Sequence, residues 1–310
     1  MKHLLKLLDC SKDDIVSILD LADQLKYEKQ HHIAHRILEG KSLGMIFQKP
    51  STRTRVSFEA GMYQLGGQPM FLTNRDLQIG RGEPMQDTAR ALSRYLDGIV
   101  IRTYDQKEVE TLAGYGSIPV INGLTNFAHP CQVLADLMTI REHFAQLEGI
   151  KMGFVGDGFN MCNSLIVGCL KAGMEVSVAT PEGYEPHPDV LAFAEQMKAE
   201  GAKFDISHDP RQAADGVDVL ITDAWTGMGQ EEEAEQRRHD FAGFTVDHDL
   251  LACCKEGVMV QHCMPAYRGE EISAEVLEEH ADEIFEEAEN RLHAQKAVLV
   301  TLMSEKYEIL

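Results

Sequence analysis

Short apolar runs alternate with helical patterns along almost the whole chain. This constrains the fold most, because such runs pack as parallel strands joined by crossover helices. In the first half the runs occupy 43–47, 69–73, 99–103 and 118–122, and helical spacing occupies 51–65, 84–96, 105–113 and 129–144. In the second half, runs at 151–155, 175–180, 204–207, 217–222 and 258–262 alternate with helices from about 161 and over 188–200, and the chain closes on a helix from about 287 to 303. Near the start, Ser11 and Asp14 form a capping box ahead of a helix whose apolar face is Ile15, Ile18, Leu19, Ala22 and Leu25. At 310 residues the chain exceeds one usual core, so two α/β domains of about 150 residues each are expected, both doubly wound parallel sheets, with the break at Glu148 and Gly149.

The net charge of −21 argues against a general nucleic-acid or anionic-membrane surface. Any anionic substrate must therefore be drawn by a local basic pocket. The seven cysteines are odd in number, scattered and without zinc-type pairs, which reads as reduced thiols. Neither a secretory leader pattern nor an apolar run of about 18 residues occurs, so a soluble cytoplasmic protein is expected.

In an open α/β sheet ligands bind beyond the carboxyl ends of the strands, and here those loops hold the chemistry. After the run 43–47 come Lys49, Pro50, Ser51, Thr52, Arg53, Thr54 and Arg55, leading into a helix. A helix N-terminus already favours an anion, and hydroxyls and two guanidiniums are added to it, which makes a phosphate cradle; a plain N-capped helix with solvated arginines is the simpler alternative. Arg102 ends an apolar strand, where a guanidinium must either reach solvent or meet an anion. His129, beside arginines and a helix start, should stay neutral or donate a hydrogen bond, and so polarise a carbonyl; Pro130 suits the first helical position, Gln132 can bond an amide, and Cys131 reads as packing. The polar loop 74–84, with Gln78, reads by itself as a turn.

In the second half, Gly156, Asp157 and Gly158 follow a strand and open a helix, but the third glycine of a dinucleotide fingerprint is missing and no acid is placed to read a ribose. A nicotinamide cofactor is not expected. Asn160 can serve an amino-acid head group, a helix cap, or both. Asp223 stands at a strand end beside the only tryptophan, Trp225, followed by the hinge Gly227, Met228, Gly229 and an acidic run that reads as a solvated face. His262, Cys263 and Met264 end the last strand.

Together, Ser51 to Arg55, Gly80 to Pro84, His129 to Gln132, Gly156 to Gly158, Asp223 with Trp225, His262-Cys263 with Pro265, and Glu289 to His293 resemble the aspartate/ornithine carbamoyltransferase family, closest to its ornithine branch. The resemblance covers nearly the whole chain. It implies a carbamoyl-phosphate-binding domain over 1–148, an ornithine-binding domain over 149–286, a closing helix 287–310 that returns to the first domain, and homotrimers or larger multiples with sites at subunit boundaries. By position, it implies that Ser51, Thr52, Arg53 and Thr54 bind the phosphate, that Arg102, His129, Pro130, Cys131 and Gln132 hold the carbamoyl end, and that Gln78 reaches a neighbouring subunit's site. Asn160, Asp223, Gly227 and Met228 would bind ornithine, Cys263 and Met264 would line the junction of the substrates, and Arg291 would contact carbamoyl phosphate. Arg102, His129, Asp223 and Cys263 would carry the chemistry, with no metal or organic cofactor.

Three positions depart from the ornithine pattern: Phe159 precedes Asn160 where Asn-Asn is usual, Gly227 replaces a serine, and Tyr267 stands where histidine is frequent. Loss of the serine hydroxyl removes a contact worth about 0.5–1.5 kcal/mol unless another group replaces it. Putrescine, an N-modified ornithine or aspartate are the alternative acceptors, although Asp223 complements an amine better than a dicarboxylate. A non-catalytic binding protein of the same fold is the alternative from another class.

Overall fold

The computed structural model describes residues 1–73, 77–227 and 229–305. The chain divides into two compact units, residues 1–138 with the segment from Glu289 on, and Thr139–Ala288. The first holds β1 (Ser42–Phe47), β2 (Gln68–Thr73), β3 (Gly98–Arg102) and β4 (Val120–Leu124); the second holds β5 (Lys151–Val155), β6 (Glu175–Ala179), β7 (Phe204–Ser207), β8 (Val219–Thr222) and β9 (Met259–His262). Every pairing is parallel, in the orders β2-β1-β3-β4 and β7-β6-β5-β8-β9. This is the α/β architecture expected from the alternating pattern.

Strand order reverses between β1 and β3 in one sheet and between β5 and β8 in the other. Loops leaving the carboxyl ends at such a point diverge and open a crevice. Register decides which residues meet there. Phe47 pairs with Arg102, so the loop after β1 starts level with the Arg102 side chain. Thr222 pairs with His262, so the next residues, Asp223 and Cys263, emerge side by side.

The first unit's core joins Ile46, Ile99, Ile101 and Val120 to Val109 and Leu112 of the helix Gln106–Tyr115. In the second, Val155, Leu220 and Val260 pack with Trp225, Phe241, Ile272 and Val276. Strands buried on both faces read as continuous apolar runs, which is why they were visible in the sequence. The Ser11 capping box is present in both directions: Ser11 Oγ accepts from Asp14 N at 3.0 Å and Asp14 Oδ2 from Ser11 N at 2.8 Å.

The start of the last helix differs from expectation, and four short helices were not expected. The last helix spans Ala281–Met303 and so starts six residues before 287; Asp282 and Glu283 in its first turn complement the helix dipole, and Ile284 is buried. Four short helices, Pro210–Ala214, Ala234–Asp240, His248–Leu251 and Ala274–Glu279, have at most two turns, too few to show a helical period in sequence. Among the described residues, no helix is long and apolar enough to cross a membrane.

Phe154 is fully buried in β5, the middle strand of the second sheet. Phe154→Ala should cost about 3–5 kcal/mol, seen as a lower urea midpoint at an unchanged slope; a midpoint equal to that of the parent chain would contradict this core.

Candidate active site

The candidate residues of the first unit start at the N-terminus of the helix Thr52–Gln64. Ser51 is its N-cap and accepts from Thr54 N at 3.2 Å. Arg53, in the first turn, is half-buried. Thr54 is buried, and its Oγ1 accepts from Arg291 Nη2 at 2.9 Å and, more loosely, from Arg102 Nη1 at 3.4 Å. Both oxygen lone pairs are thereby engaged, which leaves the hydroxyl proton to donate to a ligand. Arg291 also donates to Gln132 Oε1, whose Nε2 donates to Asp136 Oδ1 at 2.7 Å. With its carboxamide oxygen facing Arg291, as a donor-only guanidinium requires, Gln295 accepts from Nε at 3.1 Å and Nη2 at 3.0 Å.

His129 is buried immediately before Pro130, the first residue of the helix Pro130–Phe144. Burial first, then the charges of Arg291, Arg102 and Arg53, hold its imidazole well below the ordinary histidine value. It is a neutral ring among cations, suited to donate to a carbonyl oxygen. Cys131 is enclosed, with Sγ 3.5 Å from Asn122 O, and burial pushes its thiol up to about 12, so it packs and does not act as a thiolate. Lys49, also buried, donates to Asn126 Oδ1 at 2.7 Å and lies 3.9 Å over the Tyr104 ring.

One member of the opening motif faces elsewhere. Arg55 stacks on Phe71 at 3.6 Å and pairs with Glu59 at 3.2 Å, and Thr52 is exposed. Gln78 is exposed on the turn Gln78–Arg81. Residues 74–76 of that loop lie outside the described residues.

In the second unit, Asp223 Oδ1 accepts from Cys263 Sγ at 3.0 Å and from Ala224 N at 2.8 Å. Both known bonds fall on one oxygen, which leaves Oδ2 to accept from an amine. Desolvation pushes the carboxyl above the ordinary value against the pull of His262, Cys263 and Ala224 N–H. His262 is enclosed with Glu271: its Nδ1 accepts from Met264 N at 2.9 Å, so Nε2 carries the proton and donates to Glu271 Oε1 at 2.9 Å. That bond holds Met264 at a left-handed φ of 57°. Asp223, His262 and Cys263 bring three donor atoms within 4.8 Å of one another, the spacing of a metal site, but both His262 nitrogens are committed to protein partners.

Asn160 is buried at the first turn of Asn160–Lys171; Phe159, not Asn160, is the N-cap residue, and it makes no side-chain cap. The capping alternative for Asn160 is thereby removed. Gly227 N donates to Gln230 Oε1 at 2.8 Å, and a Cβ at Gly227 would lie only 2.9 Å from that oxygen. Glycine and Gln230 close this turn together, so Gly227 contributes no group to a ligand through this N–H. Met228 lies outside the described residues.

Sequence reasoning missed Thr54 as the anchor of two arginines, Gln295 behind Arg291, and the pair His262–Glu271. Gln295 sits one helical turn after Arg291, a spacing that could have flagged it. Glu271 carried no signal, since only the fold brings it to His262.

The chain matches the aspartate/ornithine carbamoyltransferase carbamoyl-P binding domain over residues 2–142 and the Asp/Orn binding domain of the same family over 148–302. It is 52% identical over 303 residues to an ornithine carbamoyltransferase of Carboxydothermus hydrogenoformans, covering 97% of each chain, and 53% identical over 300 residues to one of Methanobrevibacter smithii, covering 96% of this chain and 98% of that one. Among solved structures, the ornithine carbamoyltransferase of Pyrococcus furiosus superposes with a TM-score of 0.93 at 51% identity, covering 97% of each chain. An α/β protein with two arginines on the first turn of a helix in one unit and an acid–thiol pair at the strand ends of the other is thus matched over nearly its full length. The chain belongs to the aspartate/ornithine carbamoyltransferase family.

His129 should show neutral-ring nitrogen shifts in NMR well below the pH at which an ordinary histidine protonates, and Arg291→Met should raise its pKa without restoring the ordinary value, because burial is the larger cause. A ring titrating near 6.5 in the parent chain would contradict this.

Proposed function

We propose that this chain transfers the carbamoyl group of carbamoyl phosphate to the side-chain amine of L-ornithine, giving L-citrulline and phosphate. The observation that carries the reading is the set of Arg102 and Arg291 on Thr54 Oγ1 around a neutral His129, which fits a phosphorylated carbonyl compound. Its relatives' names support ornithine as the acceptor. Ser51, Thr52, Arg53 and Thr54 take the phosphate. Arg102, His129, Gln132 and Arg291 hold the carbamoyl end, with the backbone of Pro130 and Cys131 beside them.

Attack of the uncharged amine on the carbamoyl carbon builds negative charge on the carbonyl oxygen. The guanidiniums and the His129 N–H stabilise it, and phosphate departs into the helix N-terminus. The acceptor amine, with a pKa of about 10 when free, must lose a proton. Asp223 binds the amine through Oδ2 and tunes its proton loss, and Cys263 keeps the carboxylate in line. Asn160 takes the amino-acid head group, and Cys263 and Met264 line the junction of the two substrates. Much of the acceleration comes from holding both substrates together.

The assembly is a homotrimer or a multiple of it, in which the exposed Gln78 reaches a neighbour's site. The enzyme works in the cytoplasm in arginine synthesis, in keeping with the anabolic title of the Pyrococcus furiosus relative. Size-exclusion with light scattering should give three times the 34.6 kDa chain mass or a multiple of that; a monomer would remove the role of Gln78.

Citrulline formation assayed with carbamoyl phosphate and ornithine, beside putrescine, N-acetylornithine and aspartate, tests the reaction. Turnover of another amine without citrulline would sink the ornithine reading, and no turnover with any amine would favour a binding protein. Arg53→Ala should raise KM for carbamoyl phosphate and lower kcat, each at least tenfold; unchanged constants would remove Arg53 from the site.

A further inference from the structure

The Gly156-Asp157-Gly158 segment, singled out by its sequence, takes no part in the reaction derived above. It holds a buried arginine instead. Arg237, in the short helix Ala234–Asp240, donates from Nη1 to Asp157 Oδ2 at 2.6 Å and to Trp225 O at 2.9 Å, and from Nε to Glu233 Oε2 at 3.0 Å. Its guanidinium also lies 5.0 Å from the Tyr184 ring centroid, and Tyr184 OH donates to Asp240 Oδ2 at 2.8 Å. Arg237 and Asp157 are both buried. Gly158 completes the junction: its N donates to Tyr184 O at 2.9 Å, and a Cβ there would lie 2.3 Å from that oxygen and 2.5 Å from Pro186 N, so no side chain fits.

Trp225 O is the informative contact. The same short stretch carries Asp223 at one end and the Gly227–Gln230 closure at the other. One guanidinium therefore ties the acceptor end of the site to the loop after β5, where Asn160 begins its helix. A planar fork with several donors can hold a carboxylate and a carbonyl at once, which an ammonium cannot do in the same geometry.

We propose that Arg237, anchored by Asp157, is a positioning residue for the acceptor amine: it fixes the backbone of 223–227 so that Asp223 and the residues beside it meet the substrate. The proposal rests on the transfer reading above and predicts a one-sided defect. In Arg237→Met, KM for ornithine should rise at least tenfold and kcat fall several-fold, while KM for carbamoyl phosphate stays within twofold of the parent value. Arg237→Lys keeps the charge opposite Asp157 but loses the second grip, and should fall between the two. Asp157→Asn keeps an oxygen for Nη1 and should be milder than Arg237→Met.

Native-state hydrogen exchange gives a readout that needs no turnover. Amides of 224–227 should exchange at least tenfold faster in Arg237→Met and in Arg237→Lys, with those of β5 and β6 unchanged. Equal losses for both substrates, an unchanged ornithine KM, or unchanged exchange at 224–227 in a folded variant would each overturn the proposal. If Arg237→Met does not fold, Arg237→Lys and Asp157→Asn decide by the same criteria. If the parent chain forms no citrulline, the transfer reading fails, and the exchange experiment still decides whether Arg237 fixes the turn.

Discussion

The candidate site of the first unit depends on one hydroxyl. Thr54 Oγ1 is shared by Arg102, at the end of β3, and Arg291, from the last helix. Gathering guanidiniums around a buried point is costly unless their donors are met. Neutral oxygens of Thr54, Gln132 and Gln295 accept from these guanidiniums and bring no negative charge of their own. A carboxylate in any of these places would bind the arginines more strongly and would also weaken the field that an anionic substrate needs. Within a chain of net charge −21, such a local cluster of guanidiniums is where an anion would be drawn. Burial first, and then the same charges, hold the His129 ring below the ordinary histidine value.

The second unit solves the opposite problem, which is to keep a carboxylate available for a cation. Asp223 is desolvated, and its thiol and amide donors crowd onto one oxygen. The orientation comes from behind: His262 bonds the Met264 amide and Glu271, and Glu271 also accepts from Tyr267 N at 2.6 Å. Tyr267 thus contributes here through its backbone, while its side chain is exposed, which leaves the departure from histidine at that position without a consequence for this network.

Much of this was legible in the residues. Strands buried on both faces gave unbroken apolar runs, and the carboxyl-end rule turned attention to Arg53, Arg102, His129, Asp223 and Cys263 before any coordinate. Illegible parts share a cause: each depends on register or on a distant partner. Nothing local marks Thr54 as more than one hydroxyl among several, and Arg55 reads like Arg53 until Phe71 and Glu59 claim it. The helix Ala234–Asp240 is too short to declare itself, so nothing local marks Arg237. Gly156 to Gly158 was recognisable as a motif but was tested against nucleotide binding, whereas its tight glycine makes room for backbone from 184–186.

The bond from Arg291 to Thr54 spans 237 residues of sequence. Thr54 and its helix therefore leave the ribosome long before Arg291 does. The hydroxyl waits for one of its two arginines until the helix Ala281–Met303 docks. A chain cut before Arg291 would keep both sheets in its sequence and still lack this bond.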